Sequence, residues 1–125
     1  MRFILLLPAL AEDEVKAASR SDREQISAIR NFNEEMVRAG VLLATEWCQD
    51  NRKGIRVQMP EGRRILIEGP FREAIHEIAG LWIIEVKSQA EAIEWATRYP
   101  LPKDGFIEIH QVFEYPGRVV QKRGI

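Results

Sequence analysis

A single cysteine, Cys48, serves the whole chain, so no disulfide can form within it, and a reducing cytoplasm is the expected compartment. Only two histidines are present. A structural zinc site would need carboxylates for most of its ligands, and no ligand spacing points to one, so no metal and no other cofactor is expected. Excess positive charge is also missing: 18 basic residues stand against 19 acidic ones, for a net charge of −1. Nothing is left over to neutralise phosphates, which argues against direct nucleic acid binding. No apolar run approaches the ~18 residues that span a membrane. Repeats, low-complexity tracts and Gly/Ser linkers are absent, as are Gly-rich phosphate loops and any Ser-His-Asp order. What remains is 125 residues, 46% hydrophobic and 30% charged, the makeup of one ordinary globular domain.

The N-terminal "MRFILLLPALAEDE" imitates a secretory signal, with a basic residue, an apolar stretch and an "ALA". Pro8 interrupts the apolar run after Leu7, however, which is shorter than the roughly 7–15 residues usual for such a segment. A first β-strand is the expectation. Residues 8–20 read as a connector. "SDRE" from Ser21 is a capping box, and Ile26, Ile29, Phe32, Met36 and Val37 follow at helical spacing to a C-terminal cap at Gly40. Val41–Trp47 is a candidate strand. "GIRVQMPEGRRILIE" alternates, turns at Pro-Glu-Gly and returns to Glu68, which is a β-hairpin. Leu81–Val86 is another strand. A second capping box, "SQAE" from Ser88, opens a helix whose apolar face is Ala92, Ile93, Ala96 and Tyr99. Phe106–Glu114 is the last strand. Residues 1–115 make one domain, and 116–125 form a C-terminal tail.

The element order β-α-β-(hairpin)-β-α-β is an α+β plan, ferredoxin-like βαββαβ with an additional β-hairpin, and its antiparallel sheet carries two helices on one face. Phe3, Leu5 and Leu7 point one way and Ile4 and Leu6 the other; Leu81 and Ile83 oppose Trp82, Ile84 and Val86. Both faces of this sheet therefore ask for cover, and the two helices supply it on one side only. A second copy of the sheet is the simplest cover for the other, which makes the chain itself the expected partner, in a homodimer.

Four segments, "GVLLATE", "ILIEGPFREAIHEIAGLWIIEV", "AEAIEWATRYP" and "GFIEIHQVFE", resemble in that order the YCII-related family, specifically its DGPF-motif branch. The resemblance runs from about Met1 to Glu114 and implies a dimeric α+β barrel. The branch signature reads roughly Asp-Gly-Pro-Phe-Ala-Glu-Thr-Lys-Glu. Gly69, Pro70, Phe71 and Glu73 match it, Glu68 stands for the Asp, and Ala74, Ile75 and His76 depart from it. A related branch is proposed to use a His-Asp pair with its His on the first helix; residues 21–39 hold no His, so that pair does not carry over. The resemblance also implies a bacterial protein and an association with transcription sigma factors.

The candidate pocket residues are Glu46, Glu68, Gly69, Pro70, Phe71, Glu73 and His110. Glu68 ends a strand where packing alone asks for an apolar residue. It is either a carboxylate at a pocket mouth, with Phe71 as a wall, or an acceptor within an ordinary turn. His110 suits proton transfer, having an unperturbed pKa near 6.5, or is a plain surface histidine. Glu46 matches an acid common in the family's "GE" segment. His76 reads as solvated, Trp95 as packing, and Cys48 lacks the paired base a nucleophile needs. Two function classes stay open: a small-molecule-binding or regulatory module, and a metal-independent enzyme doing lyase- or isomerase-type acid–base chemistry on a small organic substrate.

Overall fold

The structure, a computed structural model, describes residues 1–9, 22–48, 54–69 and 78–114. Its elements are β1 (Arg2–Pro8), α1 (Asp22–Arg38), β2 (Leu42–Trp47), β3 (Ile55–Gln58), β4 (Ile65–Glu68), β5 (Ile78–Glu85), α2 (Gln89–Thr97) and β6 (Glu108–Gln111). Four strands form one antiparallel sheet in the order β2-β5-β1-β6, and β3 pairs with β4 in a separate two-stranded sheet. With the hairpin set aside, the first and third strands lie in the middle of the sheet and the second and fourth at its edges. This is the ferredoxin-like α+β arrangement the sequence calls for. The described residues form an open sheet, not a closed barrel.

The N-terminal apolar run is a central strand, flanked by β5 and β6. Its alternation sorts the residues: Phe3 and Leu5 lie opposite Ile84 and Trp82, and all four are buried. From α1 come Phe32 and Met36, from α2 Ala92, Trp95 and Ala96, to complete one core with them. Burying each large side chain stabilises the fold by about 1.5–3 kcal/mol.

The first helix ends as its glycine demands. Gly40 has φ +73°, its N–H donates to the Val37 carbonyl at 3.0 Å, and the Val41 N–H donates to the Met36 carbonyl at 3.1 Å. These two bonds define a Schellman cap. Ser21 of the first capping box lies outside the described residues. At the second, Ser88 Oγ accepts from the Glu91 N–H at 3.1 Å, while Glu91 Oε2 accepts from the Lys87 N–H, one residue before its usual target.

Three expectations change in detail. Ile26 and Val37 are exposed, because they sit about 120–140° round the helix from Phe32. On α2 the buried face holds Trp95, and Ile93 is exposed. The last strand is shorter than Phe106–Glu114, since β1 offers it only Phe3–Leu6 as partners. The hairpin turn is a 3-10 segment, Pro60–Gly62, with left-handed backbone at Glu61 and Gly62.

Candidate functional site

Strand register lays out the sheet face turned away from the helices. Glu46 pairs with Leu81, Leu81 with Leu6, and Leu6 with Glu108. Directly opposed residues in antiparallel strands share a face, so these four form one row across the sheet. The adjacent row is Ala44, Ile83, Ile4 and His110. Ile4, Leu6, Leu81 and Ile83 thus make a half-buried apolar floor. Carboxylates stand at its two edges: Glu46 on β2, and Glu108 on β6.

On β6 the two-residue period brings Glu108 and His110 together, and His110 Nε2 lies 3.0 Å from Glu108 Oε2. A carboxylate beside one ring nitrogen orients the imidazole along the strand edge. Glu46 shares this face but lies three strand spacings away, about 14 Å at the backbone. The sheet therefore unites Glu108 with His110 and keeps Glu46 on the far edge.

Glu68 is not part of this sheet. It closes β4, opposite Ile55 of the hairpin, and is exposed. Gly69 extends that pairing, its N–H donating to the Gly54 carbonyl at 2.8 Å. Pro70, Phe71, Glu73 and His76 lie outside the described residues, as do residues 10–20 of the connector, whose Pro8 ends β1, and the tail. The hairpin presents Ile55, Val57 and Leu66 on one face, all exposed.

Beneath the other face lies a cluster of rings. Trp82 stacks edge to face with Phe32, Trp47 and Tyr99 at centroid distances of 5.8, 5.6 and 5.1 Å. Its indole N–H donates to Asn33 Oδ1 at 2.8 Å. Tyr99 is hydrogen-bonded to the side chain of Gln25, whose amide nitrogen also donates to the Pro100 carbonyl at 3.1 Å. Burial pushes the Tyr99 phenol up to about 12, and the Gln25 bond opposes part of that rise. At neutral pH this phenol is an uncharged hydrogen-bonding group.

Glu108, Asn33 and Gln25 escape a local reading of the sequence. The i, i+2 spacing of Glu108 and His110 is the one signal that points to their pairing. Asn33 and Gln25 are polar residues of an amphipathic helix, and only the tertiary fold gives them partners. Among the described residues, no group of three or more His, Cys, Asp or Glu side chains is placed to hold a metal ion. No described helix is long and apolar enough to cross a membrane.

Residues 1–116 match the family model of the YCII-related domain. A comparison with curated proteins finds no match.

Proposed function

This chain belongs to the YCII-related domain family, and from that premise we propose that it is a homodimeric small-molecule-binding or regulatory module with a pocket between the sheets of its two copies. The observation that carries the proposal is the half-buried apolar floor of Ile4, Leu6, Leu81 and Ile83, on the face turned away from both described helices. A second copy laid on it buries the floor and leaves Glu46, Glu108 and His110 as polar groups at the rim. Stable interfaces need roughly 800 Å² from each partner, so such a dimer would bury the sheet edges together with the floor. The spread of the acids favours binding, because Glu68, the carboxylate that ends β4, stands on a different sheet from His110. Membership of the DGPF branch, and with it a bacterial origin and a transcription-factor partner, are parts of the same proposal and rest on the residues from Glu68 to Glu73; a cytoplasmic location rests on the single Cys48.

One observation favours the second class. The 3.0 Å contact between His110 and Glu108 is the geometry of a histidine poised for acid–base work, so a metal-independent lyase or isomerase is the alternative.

Light scattering tests the assembly. The expected mass at micromolar concentration is that of two chains, falling to one chain in Leu6→Asp, which puts a charge in the middle of the floor. A single-chain mass for the unaltered protein removes the dimer and with it the pocket between sheets. His110→Gln separates the two classes: a binding module keeps its ligand-induced thermal shifts within a few-fold of affinity, whereas an enzyme loses turnover outright.

A further inference from the structure

At one end of the molecule, on the helix-covered side of the sheet, lies a cleft of about 230 Å³. The ends of β1 and β2, the start of β5, the first turns of α1 and residues 99–106 enclose it. This is the opposite side from the open floor. We propose that the cleft is a binding site for an uncharged ligand of one or two aromatic rings carrying a single hydroxyl or carbonyl group.

Size sets the ring count. Cavities near 150 Å³ lined by apolar side chains accept benzene, so this volume suits one ring with substituents or two fused rings. Charge sets the rest. Among the described residues no acidic or basic side chain lines the cleft, and its walls include Leu7, Ile29, Leu101 and Phe106. A charged ligand would lose its hydration with no partner to replace it.

Aromatic surface stands ready on two walls. Trp47 and Phe106 are both about half exposed, at 48% and 46%, although each has a ring facing this cleft. Gly80 allows the Trp47 ring to lie against the strand: a Cβ built there would meet Trp47 Cε3 at 2.9 Å. Trp47 also packs on Trp82 from the core, which holds its indole in the unaltered chain as a wall for stacking.

The single polar group of the ligand follows from Tyr99 and Gln25. Among the described residues they are the polar side chains of the lining besides the Trp47 indole, and they are bonded to each other. Gln25 spends one amide hydrogen on the Pro100 carbonyl. A phenol has one donor and two acceptor sites, and a primary amide has two donors and a carbonyl. After their mutual bond and the one to Pro100, the pair still has donor and acceptor sites to spare, and a ligand hydroxyl or carbonyl can engage one of them. Pro102 and the tight turn at Gly105, whose N–H donates to the Pro102 carbonyl at 2.9 Å, hold the facing loop in place.

The test uses 2-naphthol and naphthalene as probes, with the full chain, by isothermal titration calorimetry and by amide and indole NMR shifts. Saturable 2-naphthol binding is expected, with the largest shifts at the Trp47 indole, Gly105 and Phe106. Tyr99→Phe should weaken 2-naphthol about five- to tenfold, the worth of one hydrogen bond, and leave naphthalene unchanged. Ala79→Leu, which fills the cleft, should abolish both. Leu6→Asp, on the open face, should change neither, which separates this site from the pocket between copies. Shifts centred on the hairpin or the open face, or equal loss of both probes in Tyr99→Phe, would overturn the proposal. So would a cleft that takes up no probe to its solubility limit.

Discussion

Trp82 donates its indole N–H to Asn33 Oδ1 at 2.8 Å, a bond that joins the centre of the sheet to the inner face of the first helix. Trp82 is fully buried, and this bond gives its one polar atom a partner where water cannot. Asn33→Leu keeps a side chain of similar size and removes the acceptor. Stability should fall by about 1–3 kcal/mol, the cost of an unpaired buried donor. Urea unfolding should show a lower midpoint at an unchanged slope, and the exposed neighbour Glu34→Ala should stay within about 0.5 kcal/mol of the parent.

Tyr99 predicts an alkaline weakness. Its phenol is raised from 10.0 to about 12 in the folded chain, so the folded state keeps a proton that the unfolded state releases. The stability this represents is complete below pH 10 and is lost as pH rises from 10 toward 12. Its ceiling is about 2–3 kcal/mol, from two units at 1.36 kcal/mol each. Urea midpoints at pH 9 and pH 11.5 should therefore diverge more in the parent than in Tyr99→Phe. Equal divergence in both proteins would assign the loss to other groups.

Gly80→Ala should move Trp47. The added Cβ would stand 2.9 Å from Cε3 and 3.0 Å from Cζ3 of that ring, closer than carbon atoms pack. Trp47 is half exposed and can swing outward, so the cost is expected at the low end of overpacking, about 1 kcal/mol. The tryptophan emission should shift to the red as the indole enters water. Unchanged emission would mean that the strand yields instead of the ring.

Glu68→Gln tests the turn against the pocket. The side chain is exposed in the single chain, and the exchange keeps its shape. Stability should stay within about 0.5 kcal/mol, as surface substitutions do. A drop of more than about 1 kcal/mol would show Glu68 to be an acceptor that the hairpin needs. An unchanged melting point with altered ligand shifts is the outcome a pocket carboxylate gives.

Much of the fold could be read locally, because β1 and β5 carry apolar residues on both faces and α1 and α2 carry capping residues at their ends. Ile26, Val37 and Ile93 were harder: each is apolar and near the buried arc, and only the direction of the sheet decides which edge of that arc is covered. The length of β6 was not legible at all, since β1 sets it through the pairs Leu6–Glu108 and Phe3–Gln111. For the candidate site, the sequence could pair Glu108 with His110 by spacing. It could not place Glu46 in the same row, because that row passes through two intervening strands. Glu68 ranks high by its neighbours in sequence, yet the register assigns it to the hairpin sheet.

The central position of β1 also has a meaning for the chain as it is made. Arg2 pairs with Glu85 and Phe3 with Gln111, so β1 leaves the ribosome before either of its partner strands. At roughly 5–20 residues per second, Phe3-Ile4-Leu5-Leu6-Leu7 waits several seconds before β5 emerges, and longer for β6. During that interval five consecutive apolar residues have no strand beside them. Such a segment invites pairing with other nascent chains, and the pairings that end its wait are among the most distant the sequence contains, which makes for slow closure of the sheet. A chaperone that holds short apolar segments therefore has a defined target here, and yield in the cell should depend on the pace of synthesis between residues 8 and 111 more than on the stability of the finished fold.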